Sequence, residues 1–211
     1  MTQHNIAYNS QRDNYDFDGQ IPGNVQCFST CMWMLLSAFA KSIKANDDNG
    51  LLDYVDDVES SVGDSGTAED VMRQDQAIAD AVASGIDSMF FWQIHQKAFR
   101  PFLIKHGVSN VDCVFSTQER TFAQLDDILA SSPVVLGTRK LGGIKGGHVI
   151  LLLGKHPEKN GYWVHDPFGD ARTRYRNTNG AHVFYSKKRL LMHATDDGKT
   201  AKRCIYGVKL W

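Results

Sequence analysis

GNVQCFSTCMWMLLSAF, residues 23–39, decides how this chain is read. A loop carrying Gly23 and Asn24 runs into a dense apolar stretch. Within it Cys27, Cys31, Met34, Leu35 and Ala38 recur at helical spacing. The pattern predicts a helix over 27–42, capped by Gly23 or Asn24. Cys27 then stands in its first turn. The positive end of a helix favours an anion, and the thiolate is the reacting form of cysteine. Cys31 lies one turn deeper on the same face and reads as a core thiol, as do Cys113 and Cys204.

The second half of the chain has a different texture. PVVLGTR (133–139), HVILLLG (148–154), GYWVHD (161–166), ARTRYR (171–176), HVFYS (182–186) and RCIYGVKLW (203–211) read as strands separated by Gly, Pro, Asn and Asp clusters. His148 opens one of them behind Gly146 and Gly147, and Asp166 closes the next. A hairpin around 156–160 would bring both to one end of the pair and, by period-two counting, to one face. A carboxylate beside an imidazole fixes its tautomer and favours its charged form. Both strands are apolar on both faces, which predicts central positions in a sheet. The paired glycines leave room for a substrate backbone.

Between these halves, 51–66 is acidic and loop-like. Helices are expected from Thr67 to Gly85 and from Asp87 or Ser88 to Gly107, the second interrupted at Pro101. VDCVFS (111–116) reads as a strand and 121–130 as a short helix. Helices first and strands later make an α+β protein, read as one domain over 1–211. The chain has 211 residues and a net charge of −1, so no global basicity points to nucleic acid or an anionic membrane. The short basic stretches Lys187-Lys188-Arg189 and Lys199 to Arg203 read as solvated faces. The polar start carries no signal-peptide core, and no apolar run is long enough to span a bilayer. Four cysteines in a chain of this length do not make a disulfide framework. The expectation is synthesis in the cytoplasm, a monomer, and no stable membrane insertion.

An acyl-transfer site also needs an oxyanion donor beside the Cys27 backbone N–H. Gln11 and Gln26 are the candidates. Adjacent side chains point apart, so Gln11 is preferred over Gln26. Asn14, Asp16 and Asp18, followed by Gly19, match the start of a calcium loop, although Val25 stands where the closing acid belongs. No cofactor is required by the chemistry, and calcium is the one ion these residues invite. A zinc site from Cys27, Cys31, His148 and His165 has the wrong spacing.

Four blocks together resemble the papain-like cysteine peptidases related to the bacteriocin-processing, double-glycine leader peptidases. They are Gln11-Arg12-Asp13-Asn14; Cys27 to Met34; Ser132 to Gly137 with Gly147-His148-Val149-Ile150; and Asp166-Pro167-Phe168-Gly169. The resemblance implies a Cys27 nucleophile, His148 as its acid–base partner, Asp166 orienting His148, and Gln11 at the oxyanion. It implies a helical N-terminal half, with the nucleophile at a helix start, packed on a C-terminal antiparallel sheet. The Gln26-Cys27 pair and the Cys-then-His order are similar to CHAP-type cell-wall amidases, as found in phage lysins. The implied activity is thiol-dependent hydrolysis of peptide or amide bonds. Peptidoglycan peptides are the first substrate, as for a phage-type lysin acting at the bacterial wall. Protein or leader processing is the alternative, and a non-catalytic papain-like binding module is the third reading.

Overall fold

The computed structural model describes residues 3–12, 27–47, 49–51, 54, 99–116 and 119–210. The helices expected over 67–85 and 88–98 lie outside them. Helical residues 99–105 run through Pro101 rather than breaking there, and the segment ends at Gly107, whose φ of 80° suits a glycine.

Six strands form one sheet in the spatial order β1-β8-β3-β4-β5-β6. They are β1 (Val111–Ser116), β3 (Val134–Arg139), β4 (Gly147–Lys155), β5 (Gly161–His165), β6 (Val183–Ser186) and β8 (Cys204–Lys209). Every neighbouring pair is antiparallel. The last strand in sequence, β8, therefore inserts between β1 and β3. Short β2 (Arg120–Thr121) and β7 (Thr200–Ala201) make a separate ribbon.

Alternation along the strands divides the core in two. Val135, Val149, Leu151, Leu153 and Ile205 face one side. There they meet helix α1 (Cys27–Ser37) and the helical residues 99–105, through Phe99, Phe102 and Leu103. Val134, Leu136, Ile150, Leu152, Val164 and Tyr185 face the other side. That side is covered by α2 (Phe122–Ile128) through Phe122 and Leu125 and by α3 (Lys187–Ala194) through Leu190 and Ala194. The architecture is a mixed one of helices on an antiparallel sheet. The sheet carries helices on both faces: α2 falls where the sequence pattern predicted a short helix over 121–130, whereas α3 was not predicted.

Helix α1 is shorter and more deeply placed than its spacing predicts. It ends at Ser37, whose hydroxyl donates to Met34 O at 2.7 Å, and the next turns tighten to three-residue bonds. Every residue from Thr30 to Leu36 is buried, so apolar side chains surround the helix instead of forming one stripe. Sheet lies on one side of it. On another, Asn9 N–H meets Met34 Sδ at 3.4 Å and Asn9 Nδ2 donates to Ala45 O.

Two elements depart from the sequence reading. ARTRYR is no strand: Ala171–Thr173 is a 3-10 turn, followed by Arg174 and Tyr175 at φ of 55° and 62°. Asp170 explains the change. Its carboxylate accepts from Arg172 N–H at 2.8 Å and caps the turn. The other departure is α3, whose basic run Lys187-Lys188-Arg189 read only as a solvated face and not as the start of a helix. Ser186 caps it by accepting from Arg189 N–H, and Leu190 and Ala194 share its buried face.

Strand β4 is apolar on both faces and central, as its composition predicts. A bulge between Leu152 and Gly154 sets Leu153 out of register with β5. The carbonyl of Leu153 is taken by His4 N–H at 2.9 Å. We expect Leu151→Ala, at the buried centre of this strand, to cost roughly 2–5 kcal/mol in urea unfolding. Val208→Ala on the exposed end of β8 should cost under about 0.5 kcal/mol. Equal losses would contradict the placement of the core.

Candidate active site

Strand register brings the histidine and aspartate together. Leu151 pairs with His165 and Leu152 with Val164 across β4 and β5. One step further, Asp166 stands opposite Ile150, diagonal to His148 and on the same face. His148 itself pairs with Thr138, whose hydroxyl donates to the His148 carbonyl at 2.9 Å. The result is a His148 Nε2 to Asp166 Oδ1 contact of 2.7 Å, with both side chains nearly free of solvent.

The carboxylate is held from several directions. Oδ1 also accepts from Phe168 N–H at 3.1 Å, so Asp166-Pro167-Phe168 is a side-chain-closed turn. Oδ2 accepts from Tyr185 OH at 2.7 Å and from Tyr175 OH at 3.4 Å. These donors mark Asp166 as an ionised acceptor, so His148 Nε2 carries the shared proton and Nδ1 is left for other work. Tyr185 OH accepts in turn from Ala171 N–H at 2.8 Å. The Asp166 backbone is fixed too. Its N–H donates to Gly180 O at 3.0 Å and its carbonyl accepts from Tyr8 OH at 3.0 Å. A Cβ on Gly180 would collide with that carbonyl, so only glycine lets the two strands of chain approach.

Burial pushes the His148 imidazole pKa down. The charge and hydrogen bond of Asp166, with a side-chain hydrogen bond and charge from Cys27, act the other way and win, raising it to about 10. Phe168 and Tyr175 pack edge-on against the ring at 6.2 and 5.9 Å between centroids. Arg12 lies over Phe168 at 3.9 Å. Cys27 is the first described residue of α1, half-buried and at the border of the first core. Cys31 is fully buried, donates to Val149 O at 3.5 Å, and is held protonated by that burial, as core thiols are.

Gln11 is buried, and its backbone N–H donates to Pro167 O at 3.0 Å, which seats it beside the Asp166 turn. Gln26 and the calcium-loop residues Asn14, Asp16 and Asp18 lie outside the described residues. Among the described residues no group of three or more His, Cys, Asp and Glu side chains is placed to hold a metal. His165 cannot join one. Its Nδ1 accepts from His182 N–H at 3.1 Å, its Nε2–H donates to Ile6 O at 2.8 Å, and burial first of all lowers its pKa to about 4. Its side chain points to the face opposite Asp166, as alternation predicts.

The sequence reading missed Tyr8, Tyr175, Tyr185 and Gly180. Tyr185 had a signal, since alternation in 182–186 turns it to the face of Asp166. Tyr175 lies in a turn and Tyr8 and Gly180 in irregular segments, which have no periodicity to read.

No family model matches the chain, and no curated protein matches it. Among solved structures it is similar to one from Bacillus anthracis described as a C39-like peptidase. The identity is 16% and the TM-score 0.33, over 54% of this chain and 58% of that one. The match thus spans a little over half of that protein's length. No described helix is long and apolar enough to cross a membrane.

Tyr185→Phe removes a donor from a buried carboxylate and the acceptor of Ala171 N–H, which should destabilise the protein by roughly 1–3 kcal/mol in denaturant melts. A neutral result would mean that Tyr185 does not support Asp166. The raised His148 pKa has a definite sign in stability. Its contribution is whole below the unfolded-state value of 6.5 and fades as pH rises towards about 10. Wild type should therefore lose stability over that window more steeply than His148→Gln. Parallel curves would refute the coupling.

Proposed function

We propose that this protein is a cysteine-dependent hydrolase of peptide or amide bonds. One observation supports the reading: a buried imidazole is held by a carboxylate at 2.7 Å, and its pKa is raised in part by a hydrogen bond and charge from Cys27, the first described residue of α1. That combination has a direct chemical use. Cys27 Sγ as thiolate attacks the carbonyl carbon, and the carbonyl electrons move onto oxygen. The Cys27 backbone N–H and the Gln11 side chain are the proposed donors to that oxyanion. His148, protonated on Nδ1, gives this proton to the departing amine, and the acyl group remains on sulfur as a thioester. Water then attacks with His148 as base, releasing the acid and restoring the thiol. Asp166 keeps Nε2–H in place throughout, and Tyr185, Tyr175 and Phe168 N–H keep Asp166 in place.

For substrate we propose peptides of the bacterial wall, with protein or leader processing as the competing choice. The resemblance of the Cys27, His148 and Asp166 blocks to leader peptidases and wall amidases supports this pair. Wall action, a monomeric state and calcium at Asn14, Asp16 and Asp18 belong to the same proposal.

Purified wall and a panel of peptides, incubated with wild type and Cys27→Ala, give the decisive comparison. New amine termini should appear with wild type and fall to background with the variant, with an unchanged melting temperature. Asp166→Asn should retain a measurable fraction, because it leaves nucleophile and base in place. Iodoacetamide should alkylate Cys27 rapidly at about pH 5.5, where an unassisted thiol is nearly inert. Slow alkylation and full Cys27→Ala activity would remove the proposal. Rapid alkylation without turnover of any substrate would favour the binding module.

A further inference from the structure

The turns that flank the His148–Asp166 pair in sequence enclose a concavity that no step above uses. It is an open cleft of about 770 Å³, between the 140–143 turn, the 171–174 turn and the start of α3. Lys140, Arg172, Arg174, Lys188, Arg189 and His193 line it, and none of its lining residues is Asp or Glu. The chain as a whole has 23 Lys and Arg against 24 Asp and Glu. A random patch of that surface would be mixed.

Several of these cations are also unspent. Arg172 is engaged, with its guanidinium on the buried Asp170 carboxylate at 2.6 Å. Arg189 also acts on Asp170 through its charge, whereas among the described residues Lys140, Arg174 and Lys188 have no ion-pair partner. Helix α3 adds a second indication. It begins Lys187-Lys188-Arg189 with no acidic residue in its first turn. Cations at the positive end of a helix are unfavourable, and an anion seated there relieves them. Lys140 and Arg174 are both held at a φ of 55° on opposing turns. Gly142 lets those turns close, since a Cβ there would strike the Tyr175 ring.

That ring links the cleft to the candidate active site: it packs against His148 and also lies against Gly142, which lines the cleft. The cleft wall at 140–143 also continues through Gly146 and Gly147 directly into His148.

We infer that the cleft binds a carboxylate-rich segment of the peptide substrate, a few residues from the bond that is cut. The inference rests on the peptidase reading and adds its specificity. Cations on three walls fit several separate charges better than one compact anion. Arg172 on Asp170 shows carboxylate recognition already in use there. Exposed Met192, 66% accessible, offers apolar contact to the aliphatic stem of an acidic side chain.

The test uses a fluorescein-labelled octa-glutamate peptide, with octa-glutamine as the neutral control, and anisotropy as the readout. The variant is Lys140→Asn with Arg174→Asn and Lys188→Gln. Asparagine tolerates the left-handed backbone of the first two sites, and Lys188 is exposed. Its charge-preserving counterpart is Lys140→Arg with Arg174→Lys and Lys188→Arg. The glutamate peptide should bind wild type and the charge-preserving form alike, at least about tenfold more tightly than the neutralised variant, and weaken with salt. The glutamine peptide should bind none of them. Equal binding by all three forms, or no binding by wild type, would overturn the inference. So would tighter wild-type binding of inorganic polyphosphate than of the peptide. Cys27 alkylation, run on the same samples, reads the peptidase proposal separately. Fast alkylation in a protein that ignores the peptide sinks only the cleft, whereas slow alkylation in wild type sinks the peptidase reading itself.

Discussion

A buried imidazole beside a buried carboxylate is costly unless each is held by its neighbours, and much of this architecture can be understood as that support. His148 and Asp166 lie almost out of water, where an unpaired charge would be expelled. Antiparallel register sets their spacing, the Asp166-Pro167 turn supplies one donor, and two tyrosines from later turns and β6 supply others. Tyr185 belongs to the second core and also to the site. Packing and chemistry therefore share residues, and a core substitution there is felt at the imidazole.

The sequence made the centre of the sheet legible and left its margins obscure. β4 and β5 are continuous apolar runs bounded by glycine and aspartate, and their period-two count alone placed His148 and Asp166 on one face. Helix α1 was found from its spacing, but its burial all round was hidden, because spacing shows one apolar stripe and not what covers the other sides. ARTRYR carried a strand-like alternation, and a capping aspartate outweighed it. In α3 the early cations masked a helix whose buried residues are only Leu190 and Ala194. Gly180 shows the limit most plainly. Its role is an approach to a backbone fourteen residues away in sequence, which no local pattern encodes.

Charge is distributed with the same unevenness. In a nearly neutral chain the charged residues of one cleft are all basic, while Arg139, Asp196, Lys202 and Glu119 elsewhere form an exposed mixed network. Mixed exposed networks of that kind contribute little to stability in salt. A single-sign field beside a low-dielectric wall reaches further and acts on whatever approaches. Tyr175, which lies against Gly142 of the cleft and bonds Asp166, is where the two environments meet.

The place of β8 has a consequence for how the protein comes into being. This strand is made after the five others of its sheet, yet it joins β1 to β3 in the interior of the sheet. A growing chain displays Cys27 and α1 long before it possesses His148, and it cannot close the sheet until β8 has been made. Residues 4–11 likewise wait for Leu153, His165 and Pro167 to arrive. Domains built from such distant pairings form late and as units. The proposed thiol site is accordingly assembled only when these distant pairings close, and not on a partly made sheet.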